Sequence, residues 1–158
     1  MARTSTQISL TPTAGRSFGV VGSRYRLLAT GEDTGGACAL IEAVVPAGDG
    51  PPLHHHLNED ESFYVIDGVV TITVDGRETA AGPGSFTLVP RGTVHTFRND
   101  GPGTAKMLVM FQPAGLEKFF QKVGIPIVDP TADPPPATVE HMQKIVATAP
   151  DYGLIFEA

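Results

Sequence analysis

Cysteine is nearly missing, with Cys38 alone in 158 residues. One thiol makes no intrachain disulfide, and the paired spacing of cysteine metal sites is absent. Cys38 lies in an apolar, strand-like run and reads as a small buried side chain. Basic residues are also few: 11 Lys and Arg stand against 17 Asp and Glu, for a net charge of −6. With a pI near 5.2, such a chain suits neither nucleic acid nor an anionic membrane. No run approaches the roughly 18 apolar residues of a membrane-spanning helix. The first ten residues, Met1 to Leu10, hold no apolar core of a secretory signal. These absences together predict a soluble, cytoplasmic protein. Neither Ser nor Cys stands in a nucleophile context, and no glycine loop for phosphate is present. Internal repeats, coiled-coil heptads and low-complexity blocks are absent as well.

What is abundant is turn chemistry. Eighteen Gly and 14 Pro are spread along the chain, while hydrophobic residues make up 41%. That pattern favours many short strands over a few long helices, within one domain large enough to bury a core. Residues 1–16 are polar and read as an arm, either loose or donated as an edge strand to a partner subunit. Strands are expected over 24–30 and 36–45, with a turn at 31–36 between them. In the second, Leu40, Glu42 and Val44 share one face and Ile41, Ala43 and Val45 the other. Further strands are expected at 61–66, 69–74, 77–81, 86–89, 93–98 and 105–111. Asp67-Gly68 and Asp75-Gly76 both read as hairpin turns. Such a series argues for an all-β sandwich or barrel over residues 17–112.

From residue 113 the period changes. Leu116, Phe119, Phe120 and Val123 fall on one helix face, stopped by Gly124 and Pro126. A proline-rich linker over 129–136 leads to a second short helix. Its apolar face reads as Val139, Met142, Ile145 and Val146, with Thr138 as N-cap. Leu154-Ile-Phe156 then packs back as a terminal strand. Residues 113–158 are thus a C-terminal helical extension covering barrel surface or a barrel mouth.

Two stretches carry the chemistry. The first reads Gly48-x5-His54-x-His56-x4-Glu61-x6-Gly68, the second Gly84-x5-Pro90-x-Gly92-x2-His95-x3-Asn99. His54 and His56 are two apart, so on a strand they share a face. Three imidazoles and one carboxylate suit Fe, Mn, Co, Ni, Cu or Zn rather than Mg or Ca, and they leave positions for exchangeable ligands. His55 should point the opposite way, to the surface or behind the ligands, and His141 reads as solvated. Gly68 and Gly76 supply positive φ for tight turns.

Every position of these two stretches matches the paired motifs of the cupin superfamily, and the chain is identified as a member on that basis. The resemblance implies a jelly-roll β-barrel (a double-stranded β-helix) with two short C-terminal helices. It also implies one divalent transition metal ion per subunit, held by His54, His56, Glu61 and His95, and a homodimer. A narrower resemblance runs over residues 25–125. It rests on Pro51-Pro-Leu-His-His-His56, Glu59-Asp-Glu-Ser-Phe-Tyr-Val65, Val89-Pro-Arg-Gly-Thr-Val-His95 and Phe111-Gln-Pro-Ala-Gly115, which resemble the bacterial single-domain quercetinase-like cupins. That group implies a metal-dependent dioxygenase cleaving a flavonol or similar enolisable aromatic with O2. Glu61 would then be both ligand and catalytic proton acceptor.

A flat aromatic substrate needs a dry, apolar pocket. Alternation from Glu61 and His95 points Phe63, Val65, Thr93 and Phe97 inward, and Leu40, Met110 and Phe111 are added as wall residues. Tyr64 points away. Arg77, Arg91 and Arg98 read as loop-placed or outward, which disfavours a phosphate or acid substrate. Three classes stay open: the dioxygenase; another metal-cupin enzyme such as an isomerase, cyclase or decarboxylase; and a non-catalytic cupin that binds metal or a small ligand.

Overall fold

The computed structural model describes residues 4–158. Twelve strands run along the chain: β1 (Ser17–Val20), β2 (Ser23–Ala29), β3 (Ala39–Val45), β4 (His54–His56), β5 (Asp60–Asp67), β6 (Val70–Val74), β7 (Arg77–Ala81), β8 (Phe86–Val89), β9 (His95–Arg98), β10 (Ala105–Gln112), β11 (Ile125–Ile127) and β12 (Leu154–Phe156). Among the described residues three short α-helices, α1 (Gly31–Thr34), α2 (Glu117–Val123) and α3 (Val139–Thr148), and one 3-10 helix (Ala149–Tyr152) join them. All pairings are antiparallel. One sheet has the order β11-β1-β2-β3-β10-β5-β8 and the other β12-β4-β9-β6-β7. Neither sheet closes on itself; the chain alternates between two facing sheets, as in a jelly roll.

That alternation corrects one turn assignment. Asp75-Gly76 does close the β6–β7 hairpin, with both residues at positive φ (47° and 76°) as a type I′ turn requires. Asp67-Gly68 does not. Strand β5 pairs with β10 and β8, whereas β6 pairs with β7 and β9, so at Gly68 the chain crosses from one sheet to the other. A Cβ on Gly68 would come within 2.9 Å of the Ala105 backbone, so the crossing admits only glycine. Asn99 closes the neighbouring corner, donating to the Val45 and Gly103 carbonyls and accepting from Gly101 N.

The core lies between the sheets. On β3 the inward residues are Ala39, Ile41, Ala43 and Val45, and on β10 they are Ala105, Met107, Val109 and Phe111. Within residues 31–36, expected as a turn, Gly31–Thr34 form the short helix α1, started by Asp33 accepting from Thr30 N. The arm over 4–16 forms no strand. It lies along its own chain, with Thr6 N donating to Asp33 O and Arg26 donating to the Thr11 and Ala14 carbonyls. Residues 1–3 of the expected arm lie outside the described residues.

The C-terminal segment returns strands to both sheets. Leu116, Phe119, Phe120 and Val123 are all buried, as their spacing predicts. Strand β11 follows at once and pairs with β1. Thr138 caps α3 by accepting from His141 N. The buried face of α3 differs from expectation: His141 and Ile145 are buried, while Val139 and Val146 are 77% and 53% exposed. His141 is therefore not solvated; its Nε2 donates to the Val123 carbonyl at 2.7 Å and ties α3 to the end of α2. Cys38 is half-buried, less enclosed than its apolar neighbourhood suggests.

Candidate metal centre

Strand alternation brings His54 and His56 to one face of β4, and each is buried. Directly across, His54 is the register partner of His95 on β9. Glu61 arrives from the other sheet, on β5. One nitrogen or oxygen from each of the four side chains lies within 4.8 Å of all the others. Two metal bonds of about 2.1 Å span about 4.2 Å, so the cluster needs only small side-chain shifts to close on one ion.

Backbone carbonyls orient two of the imidazoles. His54 Nδ1–H donates to Pro52 O and His95 Nδ1–H to Thr93 O, each at 2.8 Å. Both rings then turn Nε2 toward the centre in the tautomer that ligation needs. Glu61 Oε2 stands 2.6 Å from His95 Nε2 and 2.8 Å from His56 Nε2. Burial holds the His54 imidazole down to about 4, so it is neutral and free to ligate. Burial opposes the charge on Glu61, yet His56 and His95 together hold its carboxyl well below the usual range. His95 is raised by Glu61, although burial works against it.

The donor set fits a transition ion on a further observation. Neither ring nitrogen of His56 has a hydrogen-bond partner among the described residues, although both are buried. Its Nε2 approaches Glu61 closely but out of line for a hydrogen bond. An unpaired buried polar atom costs about 1–3 kcal/mol, and a shared ion relieves the one at Nε2. Glu59, not singled out in the sequence, lies behind this ring: its Oε2 is buried 3.9 Å from His56 Nδ1, and burial raises its pKa. Its place three residues beyond His56 on the polar turn was the available signal. His55 faces outward, as alternation predicts, and meets Glu157 at 2.6 Å.

A cavity of about 50 Å³ adjoins the cluster. Its walls include Ile41, Phe97, Val109, Phe111, Phe120 and Phe156, with His54, His56 and Glu61 on one side. Phe97 and Phe111 line this cavity. Leu40 and Met110 do not. Both lie on the outer face of the seven-stranded sheet, where they are register partners. The wall positions belong to their neighbours Ile41, Val109 and Phe111. Phe63 and Val65 do point inward but lie beyond the cavity, in solid core. Phe63 packs 5.7 Å from Phe97 and 6.2 Å from His95, centroid to centroid, which fills the space behind the cluster. Tyr64 is exposed, and Arg91 and Arg98 bind Asp60 and Asp100 at the surface.

Comparison with known proteins agrees with this geometry. A family model described as the cupin domain matches residues 41–111. Quercetin 2,3-dioxygenase of Bacillus subtilis is 35% identical over 102 residues, which are 65% of this chain but 30% of that protein. This chain thus corresponds to under a third of that dioxygenase. Tetracenomycin polyketide synthase protein TcmJ of Streptomyces glaucescens is 26% identical over 116 residues, 72% of this chain and 78% of that protein. The structure of the polyketide cyclase RemF from Streptomyces resistomycificus superposes with a TM-score of 0.60 at 24% identity, covering 68% of this chain and 80% of that one. Two matched motifs, two facing antiparallel sheets and a buried His-His-Glu-His group meet in one place, and residues 41–111 of the chain carry a cupin domain.

Proposed function

We propose that this protein is a metal-dependent dioxygenase of quercetinase type, acting with O2 on a flavonol or a similar enolisable aromatic. One observation carries the reading: apart from Tyr25 and the His/Glu cluster, the cavity wall is apolar, and among the described residues no Lys or Arg lines it. A phosphate- or acid-binding isomerase needs a cation there. A flat, uncharged ring system does not. His54, His56, Glu61 and His95 would hold one Fe, Mn, Ni, Co, Cu or Zn ion, whose Lewis acidity lowers the pKa of a hydroxyl bound beside it.

The chain's own residues do the rest. Both imidazole contacts of Glu61 fall on Oε2, which leaves Oε1 to take the substrate's proton. Phe97 and Phe111 hold the ring and exclude water, so the enolate formed is not quenched by solvent. The assignment is tested by elemental analysis of the purified protein, then oxygen uptake with a flavonol panel. Absence of any transition metal after growth with Fe, Mn, Ni and Co supplied counts against every enzymatic reading.

A second reading is an aromatic polyketide cyclase. It is the cyclase among the alternatives above, and the match to TcmJ, a polyketide synthase protein, over most of both chains points its substrate to a polyketide. Cyclisation of a poly-β-ketone consumes no O2, so metal content with no oxygen uptake moves the assignment there.

We also propose a cytoplasmic homodimer. A single free thiol suits a reducing compartment. The outer face of the seven-stranded sheet carries Tyr64, Ile66, Phe86 and Leu88 exposed, beside the half-buried Leu40 and Met110. An exposed apolar strip of this kind suits burial against a second copy about a twofold axis.

A further inference from the structure

The cavity does not hold the substrate that its walls suit. Pockets for drug-sized ligands measure about 300–1,000 Å³, and this one is about 50 Å³. Entry of a bicyclic or tricyclic ring therefore needs a wall to move. Ile41, Glu61, Val109 and Phe111 lie on β3, β5 and β10, each bonded to a strand on both sides. Shifting them breaks two ladders at once.

Strand β12 is different. It is three residues long, forms the edge of its sheet and pairs with one neighbour only. That neighbour is β4, in the register Leu154↔His56, Ile155↔His55, Phe156↔His54. Leu154 and Phe156 therefore face the cavity beside the two ligands, and the Phe156 ring lies 6.1 Å from that of His54. Gly153, at φ 69°, precedes the strand. The attachment continues beyond the paired residues through Leu57 N to Gly153 O, Glu157 N to Leu53 O, and the His55–Glu157 contact.

We propose that β12 is the specificity-determining wall of the site. Leu154 and Phe156 set the size and shape of what reaches the His/Glu cluster, and an aromatic substrate enters as β12 parts from β4, turning about Gly153. The assignment rests on the proposed metal-dependent reading of the same site, and assigns to the C-terminal strand the choice of ring system.

The test joins β12 to β4. A His55→Cys, Ile155→Cys pair in a Cys38→Ser background places two thiols at register partners on the outward face, clear of the ligands. The protein is loaded anaerobically with Fe(II), and 1,10-phenanthroline, a flat tricyclic chelator, strips the ion. The readout is the chelator-dependent rate constant. The reduced variant, which lacks the His55–Glu157 contact, should be stripped no more slowly than the parent. The disulfide form, verified by thiol count, should be at least tenfold slower, with recovery on reduction. Equal rates in the two redox states, or a rate independent of chelator concentration, overturn the proposal. Phe156→Ala provides a second arm should the paired variant fail to fold: stripping at least threefold faster supports the wall, and an unchanged rate refutes it. Oxygen uptake with flavonols, run in parallel, reads the dioxygenase assignment separately. Slowed stripping without uptake keeps the wall and removes the flavonol; uptake with lock-insensitive stripping does the reverse.

Discussion

Glu61 is the residue on which two roles converge. Its Oε2 lies against two imidazoles, and it alone joins the group from the larger sheet. Gln is nearly isosteric and keeps one carbonyl oxygen but cannot take a proton. Glu61→Gln should therefore keep the native circular dichroism spectrum while turnover falls about 100-fold or more; an unchanged rate removes Glu61 from the base role. His54→Ala should act differently, lowering metal content and activity together, as read by elemental analysis. His54 and His56 were legible as a pair because a strand has period two, whereas Glu61 and His95 were legible as their partners only through the resemblance carried by the two motifs. The wall was less legible. Strands β3 and β10 are apolar on both faces, so hydrophobicity alone does not say which side is in. The missed signal was Glu42, which shares the face of Leu40. It is bonded to Arg26 at 3.2 Å on the outside, so Ile41 and not Leu40 had to face the cavity.

At the scale of elements, α3 shows how a polar residue misleads. Its apolar residues suggest one stripe, but the buried line is His141, Ile145 and Ala149, spaced four apart. The imidazole is accepted there because the Val123 carbonyl, left over at the end of α2, needs a donor. His141→Ala leaves that carbonyl unpaired and opens a gap, at a cost of about 1–3 kcal/mol. Thermal denaturation should show the loss, with metal content unchanged. Strand β11 was invisible for a related reason: Ile125-Pro-Ile127 is too short to show a period, and only its pairing with β1 defines it. The Asp67-Gly68 turn failed as a hairpin because local turn chemistry specifies positive φ but not which strands meet afterwards.

For the whole molecule, the proposed dimer rests on the outer face of the larger sheet. Phe86 and Leu88 lie on its edge strand, 63% and 54% exposed, opposite Tyr64 and Ser62 of β5. A Phe86→Glu, Leu88→Lys variant should sediment as a monomer at concentrations where the parent is a dimer, with the metal site intact. Metal removal should act on the molecule as a whole. Free ion at 1,000 times its dissociation constant adds about 4 kcal/mol to folding stability. The melting temperature should therefore drop on chelation and recover on reloading, in a calorimetric scan.

The reason lies in how the ligands are shared: His54, His56 and His95 stand on one sheet and Glu61 on the other. An ion held there would be a rivet through two plates. Its grip would resist their sliding apart, so mechanical cohesion and the proposed reactivity would come from the same four bonds.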